Sequence, residues 1–267
     1  MANNIPIWVI NLDHRSDRLA AIGAQLDGMG LRWNRLPAAW GAQMSADELA
    51  QAGPDRGWIG PLGPGARACT ISHLRAWQAL IDSGAPCGLI LEDDAVLAAD
   101  LAGLLRDDGW WPDHTHLIKI EKYSNRSQSK LLVARASTDL PVAGRRLYQM
   151  LSRHTGTGGY LISAQGAKIG LGHAGRITIP IDHFLFNDTL SPVWRAMRPH
   201  LVSPGLLRQG GDSASDVWPS SPTTTARERR IISARRALAE ASGWPRQIAM
   251  LATGRAQILR HGFQDRT

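Results

Sequence analysis

Short apolar segments that alternate with amphipathic ones are the feature that most constrains how this chain can fold. Residues 5–12 form a continuous apolar run, which is typical of a strand buried on both faces of a parallel sheet. Residues 16–29 repeat apolar side chains at spacings of three and four, which predicts an amphipathic helix with Asp13 or Ser16 as its cap and Gly30 as its end. A second strand at 31–36 completes a β-α-β unit, whose crossover we expect to be right-handed.

The same alternation continues along the chain. The patterns predict helices over 66–83 and 164–171 and strands at 87–91, 116–120, 131–134 and 159–163. Residues 53–65 hold five glycines and three prolines and are predicted to be a loop. This order of elements indicates an α/β protein with a Rossmann-like, mainly parallel central sheet flanked by helices.

The distribution of charge divides the chain into a near-neutral body and a basic tail. The length of 267 residues, 43% of them apolar, is ample for one globular domain with an appendage. Of the net charge of +7, +6 belongs to residues 227–267, which carry nine basic and three acidic side chains. We therefore predict a domain over 1–216, a linker rich in Pro, Ser and Thr over 217–226, and a basic helical tail over 227–267. The near-neutral body also argues against a nucleic-acid partner.

Compartment is predicted from what the sequence lacks. Two cysteines, Cys69 and Cys87, do not make a disulfide framework and are expected to be buried residues or free thiols in a reducing compartment. The amino terminus shows no charged region followed by a cleavage site, and the apolar runs are only strand-sized. We expect a cytoplasmic protein.

The tail itself is predicted to be two helices, over 226–242 and 245–261, that are separated at Gly243. Both combine apolar faces with arginines, an arrangement suited to peripheral association with the inner, anionic face of a membrane. The alternative is a helical pair that packs on the domain and leaves its arginines in solvent.

Three consecutive acids, Glu92, Asp93 and Asp94, directly follow the predicted strand at 87–91. In an extended chain, Glu92 and Asp94 share a side while Asp93 faces away. Two carboxylates at the carboxyl end of a buried strand suit a hard divalent cation, Mg²⁺ or Mn²⁺, and no Cys/His cluster is evident in the sequence as a competing site. The alternative is a solvated turn whose acids cap the following segment.

A second polar segment lies where the first strand meets the first helix, the usual ligand edge of an open α/β sheet. Arg15 and Arg18 could pair with phosphates, and Asn11 or Asp13 could bind a base or ribose. The sequence has no glycine-rich dinucleotide fingerprint and no Walker loop. The alternative places a cap at Asp13 or Ser16 and the arginines in solvent.

Three further segments carry weaker signals. Ser72 and His73 lie within a predicted helix, where a histidine is more often structural. The glycines of 156–159 would let the backbone approach a ligand closely, although a bend in the strand explains them equally well. Asp182 and His183 place a carboxylate beside an imidazole, which suits a general base or a further metal ligand.

Taken in order, these segments resemble the successive blocks of glycosyltransferase family 25, which includes bacterial lipopolysaccharide and lipooligosaccharide galactosyltransferases and animal collagen galactosyltransferases. The similarity covers roughly residues 5–210. The blocks are Asn11-Leu12-x-x-Arg15-x-x-Arg18, Pro37-Ala38-x-x-Gly41, Gly65-x-x-x-Cys69-x-x-Ser72-His73-x-x-x-Trp77, Leu91-Glu92-Asp93-Asp94, Gly156-Thr157-x-x-Tyr160-Leu161-Ile162-Ser163 and Pro180-Ile181-Asp182.

The resemblance implies a GT-A fold, a UDP-sugar donor, a divalent metal and inversion at the anomeric carbon. Asp94, with Glu92, is then expected to bind the metal, and Asp182 is expected to be the base that takes the proton from the acceptor hydroxyl. His183, Glu121 and His200 are unranked helpers. The residues expected around the donor are Asn11, Arg15, Arg18, Ser72, His73, Glu92 and Asp93.

Two functions follow as hypotheses. The first is a metal-dependent transferase that moves a hexose, with galactose as first candidate, from a UDP-sugar to a cell-surface glycan or glycolipid such as lipopolysaccharide. The second is a catalytically silent GT-A domain that acts as a glycan-binding or membrane-associated scaffold. The intact acidic trio and Asp182 favour the enzyme. The segment 124–146, expected to include the acceptor surface, matches no block of the family.

Overall fold

In the computed structural model, the described residues are 5–122, 131–210 and 224–265. Within these ranges the elements, in chain order, are β1 Ile7–Asn11, α1 Ser16–Gly28, β2 Asn34–Pro37, α2 Ala46–Ala50, β3 Arg56–Gly57, β4 Gly60–Pro61, α3 Pro64–Asp82, β5 Cys87–Glu92, β6 Ala95–Leu97, α4 Leu101–Leu104, β7 Leu117–Lys119, β8 Glu121–Lys122, β9 Leu131–Asp139, β10 Arg146–Met150, β11 Gly159–Ser163, α5 Ala164–Leu171, α6 Ile181–Phe186, α7 Trp194–Met197, β12 His200–Ser203, β13 Leu207–Gln209, α8 Ala226–Ala252 and β14 Gln257–Arg260.

A nine-stranded sheet in the order β14-β9-β10-β12-β7-β11-β5-β1-β2 forms the centre of the protein. The predicted α/β class, with helices on a central sheet, is confirmed. The sheet is mixed: β2, β1 and β5 run parallel, as do β7 and β12, whereas the other five pairings are antiparallel. Short apolar strands buried on both faces look alike in either direction, so the sequence pattern alone does not determine their pairing.

The period of two along β1 explains how both faces of the sheet are covered. Ile7 and Val9 join the core cluster beneath α1 and α4, whereas Trp8 and Ile10 join the cluster beneath α3, α5 and α6. On the second face, Gly170 of α5 lets that helix approach α3 closely, since a Cβ at this position would lie 2.4 Å from the Trp77 ring. Strands β1 and β5 are therefore buried on both faces of the sheet.

Several predicted elements agree with the structure to within a few residues, namely those matching β1, α1, α3, β5, β7, β11 and α5. The predicted loop at 53–65 contains the small β3–β4 hairpin. The expected cap of α1 was wrong, because Arg15 occupies the cap position and no side chain caps the helix. Asp13 instead forms an ion pair with Arg35.

The prediction of two tail helices was also wrong. A single helix, α8, continues through Gly243 and Pro245, and the chain then forms β14, which pairs antiparallel with β9 and extends the central sheet. Gly243 does not break the helix because it is buried at the contact with Thr189, where a Cβ would lie 3.0 Å from the threonine methyl carbon. The predicted linker over 217–226 lies mostly outside the described residues.

Polar contacts fasten α8 to the rest of the chain. Glu240 pairs with Arg153, and Arg246 and Gln247 both donate to Asp188 at 3.0 Å. Helix propensity alone disfavours an interior proline by about 3 kcal/mol. Tertiary contacts with the body therefore decide the course of this segment.

A buried arginine joins three distant parts of the chain. Arg145, whose side chain is fully buried, donates two hydrogen bonds to the carboxylate of Asp100, at 2.8 and 2.6 Å. It also donates to the backbone carbonyls of Pro204, Gly205 and Gln264. The guanidinium group of Arg145 thus connects the start of α4, the β12–β13 connection and the carboxyl-terminal segment.

Replacing this arginine tests its role. Arg145→Met leaves Asp100 without its partner and three carbonyls without a donor, so we expect a loss of roughly 3–5 kcal/mol in the free energy of unfolding, measured by urea titration. The neighbouring Arg146 forms an exposed pair with Asp139, and Arg146→Met should cost less than about 1 kcal/mol. Equal losses in the two variants would contradict this assignment.

Candidate active site

The candidate site lies at one edge of the central sheet, where three strands end. Strands β1, β5 and β7 run in the same direction, since β5 is parallel to β1 and both β5 and β7 are antiparallel to β11. Asn11 ends β1, Glu92 ends β5, and Glu121 begins β8, separated from the end of β7 by one residue. The carboxyl edge of such strands is where open α/β sheets bind ligands.

Asp93 is held by the first strand and the first helix. The side-chain amide of Asn11 donates to Asp93 Oδ2 at 2.7 Å, and Arg18 Nη1 lies 3.5 Å from Asp93 Oδ1. Burial raises the pKa of Asp93, and the contacts from Asn11 and Arg18 oppose that rise. Asn11 also donates to the Arg15 carbonyl and accepts from Arg35, so its amide is fully used within the protein. Asn11 therefore positions Asp93.

Glu92 faces α3 and terminates a buried hydrogen-bonded chain. Trp77 Nε1 donates to the Tyr160 hydroxyl at 2.9 Å, this hydroxyl lies 2.8 Å from His73 Nδ1, and His73 Nε2 lies 3.5 Å from Glu92 Oε1. An indole N–H can only donate, so every group is satisfied when Tyr160 donates to Nδ1 and Nε2 carries the histidine proton. In this arrangement His73 presents its Nε2–H to the carboxylate of Glu92.

The pKa of Glu92 reflects two opposing influences. Burial acts to raise it, but contacts from His73 and from the Thr157 hydroxyl, 2.6 Å away, together with the charge of Lys119, lower it below its usual value. Glu92 is therefore ionised within a cluster of acids.

Asp94 is the least satisfied member of the acidic trio. Its Oδ1 atom is buried and has no hydrogen-bond partner among the described residues. Burial and then the charge of Glu92 raise the pKa of Asp94 to about 7, with Asp93 and Glu121 adding to the rise and Arg18 opposing it. A buried carboxylate oxygen without a donor is unusual in proteins and calls for a ligand or a proton.

Glu121 forms a second, fully buried part of the cluster. Its Oε2 atom accepts from Lys119 Nζ at 2.8 Å and from the Gly158 amide at 3.1 Å, while Oε1 has no hydrogen-bond partner in the described chain. Burial raises the pKa of Glu121, with Lys119 opposing. From the sequence, Glu121 is one of three unranked helpers, although a lysine and a glutamate two residues apart at the end of an apolar strand are an available signal.

Residues 156–158 connect the acids of the site. The Gly156 amide lies 3.4 Å from Asp182 Oδ2, Thr157 donates to Glu92, and the Gly158 amide donates to Glu121. Gly156 has φ +98°, a conformation that side chains disfavour, and its carbonyl accepts from Lys119. The segment thus brings Asp182, at the start of α6, to the same side of the sheet as the trio.

The structure separates other predicted residues from this cluster. The buried Ser72 hydroxyl accepts from the Ala39 amide and donates to the Ala68 carbonyl, which anchors α3. Arg15 pairs with the exposed Asp17. His200 begins β12, at the opposite edge of the sheet, where burial lowers its pKa. His183 follows Asp182 and contacts Asn187.

A cysteine lies closer to the acids than the sequence indicated. Metal-binding atoms of Cys69, His73 and Glu92 lie within 4.8 Å of one another, so the expectation that no Cys/His cluster competes was wrong. Burial, followed by the charges of Glu92 and Asp182, raises the pKa of the Cys69 thiol well above its usual value. Both ring nitrogens of His73 already have partners. The donors that remain are carboxylate oxygens, which suit a hard cation better than a soft one.

Comparisons with known proteins show the family to which the chain belongs. The family described as glycosyltransferase family 25 (LPS biosynthesis protein) matches residues 4–185, a range that includes all of the acids above. The lipooligosaccharide biosynthesis protein lic2B of Haemophilus influenzae is 26% identical over 177 residues, 62% of each chain. The lacto-N-neotetraose biosynthesis glycosyltransferase LgtB of Neisseria gonorrhoeae is 25% identical over 169 residues, 61% of this chain and 58% of LgtB.

One further relative and one solved structure are also similar to this chain. A glycosyltransferase 25 family member of Aedes aegypti is 28% identical over 207 residues, 70% of this chain and 32% of the mosquito protein. The crystal structure of a glycosyltransferase involved in glycosylation of the major capsid of PBCV-1 aligns with a TM-score of 0.40 at 9% identity, over 86% of this chain and 98% of the other. The chain spans about three fifths of the length of the first two relatives. By the family match across more than half of its residues, the chain belongs to glycosyltransferase family 25.

Proposed function

We propose that this protein transfers a hexose, with galactose as the first candidate, from a UDP-sugar to a glycan acceptor of the lipopolysaccharide or lipooligosaccharide class. The observation that carries the proposal is the group of buried acids at the carboxyl edge of the sheet, in which one oxygen of Asp94 and one of Glu121 have no hydrogen-bond partner among the described residues. Family membership and the names of the relatives support the transferase class and the acceptor class.

A divalent cation, Mg²⁺ or Mn²⁺, fits this set of donors. Asp94 and Glu92 would hold it, because Asp94 Oδ1 has no donor in the described part of the chain and Glu92 is ionised beside it. When bound, such a cation stabilises the negative charge that develops on the departing nucleoside diphosphate. Arg18, which already lies beside Asp93, adds positive charge on the same side.

Asp182 is the proposed general base. Its Oδ1 atom accepts from the His183 amide at 2.8 Å, whereas Oδ2 has, among the residues that the structure describes, only the long contact with the Gly156 amide. Oδ2 therefore retains lone pairs that can take the proton from an acceptor hydroxyl as that hydroxyl attacks the sugar. A single displacement of this kind inverts the anomeric carbon. Cys69 is not assigned a part in this step, because burial and the charges of Glu92 and Asp182 raise the pKa of its thiol and keep it protonated.

Nucleotide binding should depend on the cation. We expect Mn²⁺ to strengthen UDP binding in titration calorimetry, and Asp94→Ala to weaken the Mn²⁺-dependent affinity roughly tenfold to hundredfold. Asp113→Asn is the control, since Asp113 is exposed before β7, at the opposite edge of the sheet. If the wild type binds UDP with the same affinity with and without Mn²⁺, the proposed role of the metal is contradicted.

Turnover should depend on Asp182. Asp182→Asn keeps the shape of the side chain but removes the base, so kcat for UDP release from UDP-galactose with lipooligosaccharide as acceptor should fall by about 10²–10⁴-fold while UDP still binds. Unchanged kcat would exclude Asp182 as the base. Cation-dependent UDP binding by a wild type that turns over none of the UDP-hexoses offered would instead favour the silent, glycan-binding alternative.

The charge on Asp94 should also be visible in stability. With its pKa raised from 3.8 to about 7, Asp94 holds a proton in the folded state that the unfolded chain releases, so without a divalent cation its contribution to stability is lost as pH rises through this window. In EDTA, Asp94→Asn should therefore gain free energy of unfolding relative to wild type between about pH 4 and pH 8, measured by urea titration. A difference that does not change with pH would show that Asp94 ionises normally.

A further inference from the structure

The outward side of α8 carries most of the exposed apolar surface in the described chain. Ile231, Leu238, Trp244 and Ile248 are 43%, 71%, 59% and 62% exposed. The other two large apolar side chains exposed to this degree are Ile258 of β14 and Trp58, whose carbonyl accepts from Arg235 of α8. Exposed apolar surface is therefore concentrated on the carboxyl-terminal segment and the hairpin that it touches.

Helical periodicity places these side chains together. At 100° per residue, the four apolar positions of α8 lie within one arc, opposite the buried Ala239 and Gly243. Helix α8 thus has apolar residues on two opposite sides. One side packs on the protein, and the other has no partner within the described residues.

The charges on α8 are also divided between two sides. Its two acids turn inward, since Glu228 pairs with Arg56 and Glu240 with Arg153. Arg227 and Arg230 are exposed on the outward arc with Ile231. The outward side therefore combines apolar residues with positive charge and carries no acid of its own helix.

This combination fits the surface of an anionic bilayer better than a protein partner of unspecified charge. A helix lying in the membrane interface buries its apolar arc among the acyl chains, and each nearby arginine contributes attraction to acidic headgroups. The 27 residues of α8 span about 40 Å, enough for several lipid headgroups. None of the described helices is apolar enough over a sufficient length to cross a membrane.

We propose that the outward face of α8, defined by Arg227, Arg230, Ile231, Leu238 and Ile248, binds the surface of an anionic lipid bilayer. The inward side of the same helix borders the candidate site, because Glu240, Arg236 and Arg153 all act electrostatically on His183, next to Asp182. A bilayer bound to the outward face lies about one helix diameter, about 10 Å, from the side of α8 that borders the candidate site. Given the proposed function, this placement suits an acceptor glycan carried on a lipid.

The test is co-sedimentation of the full chain with vesicles of phosphatidylcholine, with or without phosphatidylglycerol. We expect binding only to the anionic vesicles, weakened by salt. Arg227→Gln with Arg230→Gln should weaken binding by roughly tenfold to thirtyfold, and Leu238→Glu with Ile248→Glu should abolish it. The matched control, Arg106→Gln with Arg195→Gln, removes two exposed arginines outside the carboxyl-terminal segment and should bind like the wild type.

Three outcomes would overturn the proposal. They are no binding by the wild type, equal binding by the α8 and control variants, and a lipid-free dimer that the Leu238→Glu, Ile248→Glu variant converts to a monomer, which would assign the face to a second copy of the chain. Cation-dependent UDP binding is measured on the same samples. If the wild type binds UDP but not the vesicles, only the proposed membrane contact is contradicted. If it binds the vesicles but not UDP, only the proposed function is contradicted.

Discussion

The candidate site depends on one buried lysine and the three residues that it helps to hold. Lys119 neutralises Glu121 and donates to the Gly156 carbonyl, while residues 156–158 contact Asp182, Glu92 and Glu121 in succession. Several carboxylates in a buried space repel one another, and each loses hydration, so they stay ionised only where donors or a cation compensate. Donors contact Glu92 and Asp93, whereas one oxygen of Asp94 and one of Glu121 have no hydrogen-bond partner among the described residues. These two oxygens are the atoms left to interact with a ligand.

The carboxyl-terminal segment belongs to the same construction. Strand β14 closes one edge of the sheet, Arg145 binds the Gln264 carbonyl, and buried His261 lies within hydrogen-bond distance of the Glu121 carbonyl. Burial lowers the pKa of His261 to about 4, so its ring is neutral and its Nε2–H donates to that carbonyl. One side of helix α8 borders the candidate site, and the opposite side of the helix is exposed. The carboxyl-terminal segment, which composition alone marks as a basic appendage, therefore contacts residues next to the site. It also carries the surface that is proposed to bind lipid.

Local patterns were sufficient for much of the fold and part of the site. The period of helix α3 and the apolar run before Glu92 are properties of neighbouring residues, so the predicted strand and helix agree with the structure. The pattern does not show that the Ser72 hydroxyl accepts from the Ala39 amide and donates to the Ala68 carbonyl, because Ala39 lies 33 positions away along the chain. The sequence also does not show that Cys69 lies near Glu92, because more than twenty residues separate them along the chain. Gly243 was taken as a helix end because its close contact with Thr189 is visible only in the folded protein.

By itself, the sequence determined the α/β class, the position of the acidic trio at the end of a buried strand and the confinement of excess positive charge to residues 227–267, because each follows from residues close together along the chain. Only the tertiary structure decided the mixed direction of the strands, the path of the carboxyl-terminal segment into the sheet, and which acids share one buried space. Those outcomes depend on contacts between distant residues, such as Gly158 with Glu121 and Trp77 with Tyr160. Packing and burial select these contacts, and a local sequence pattern does not encode them.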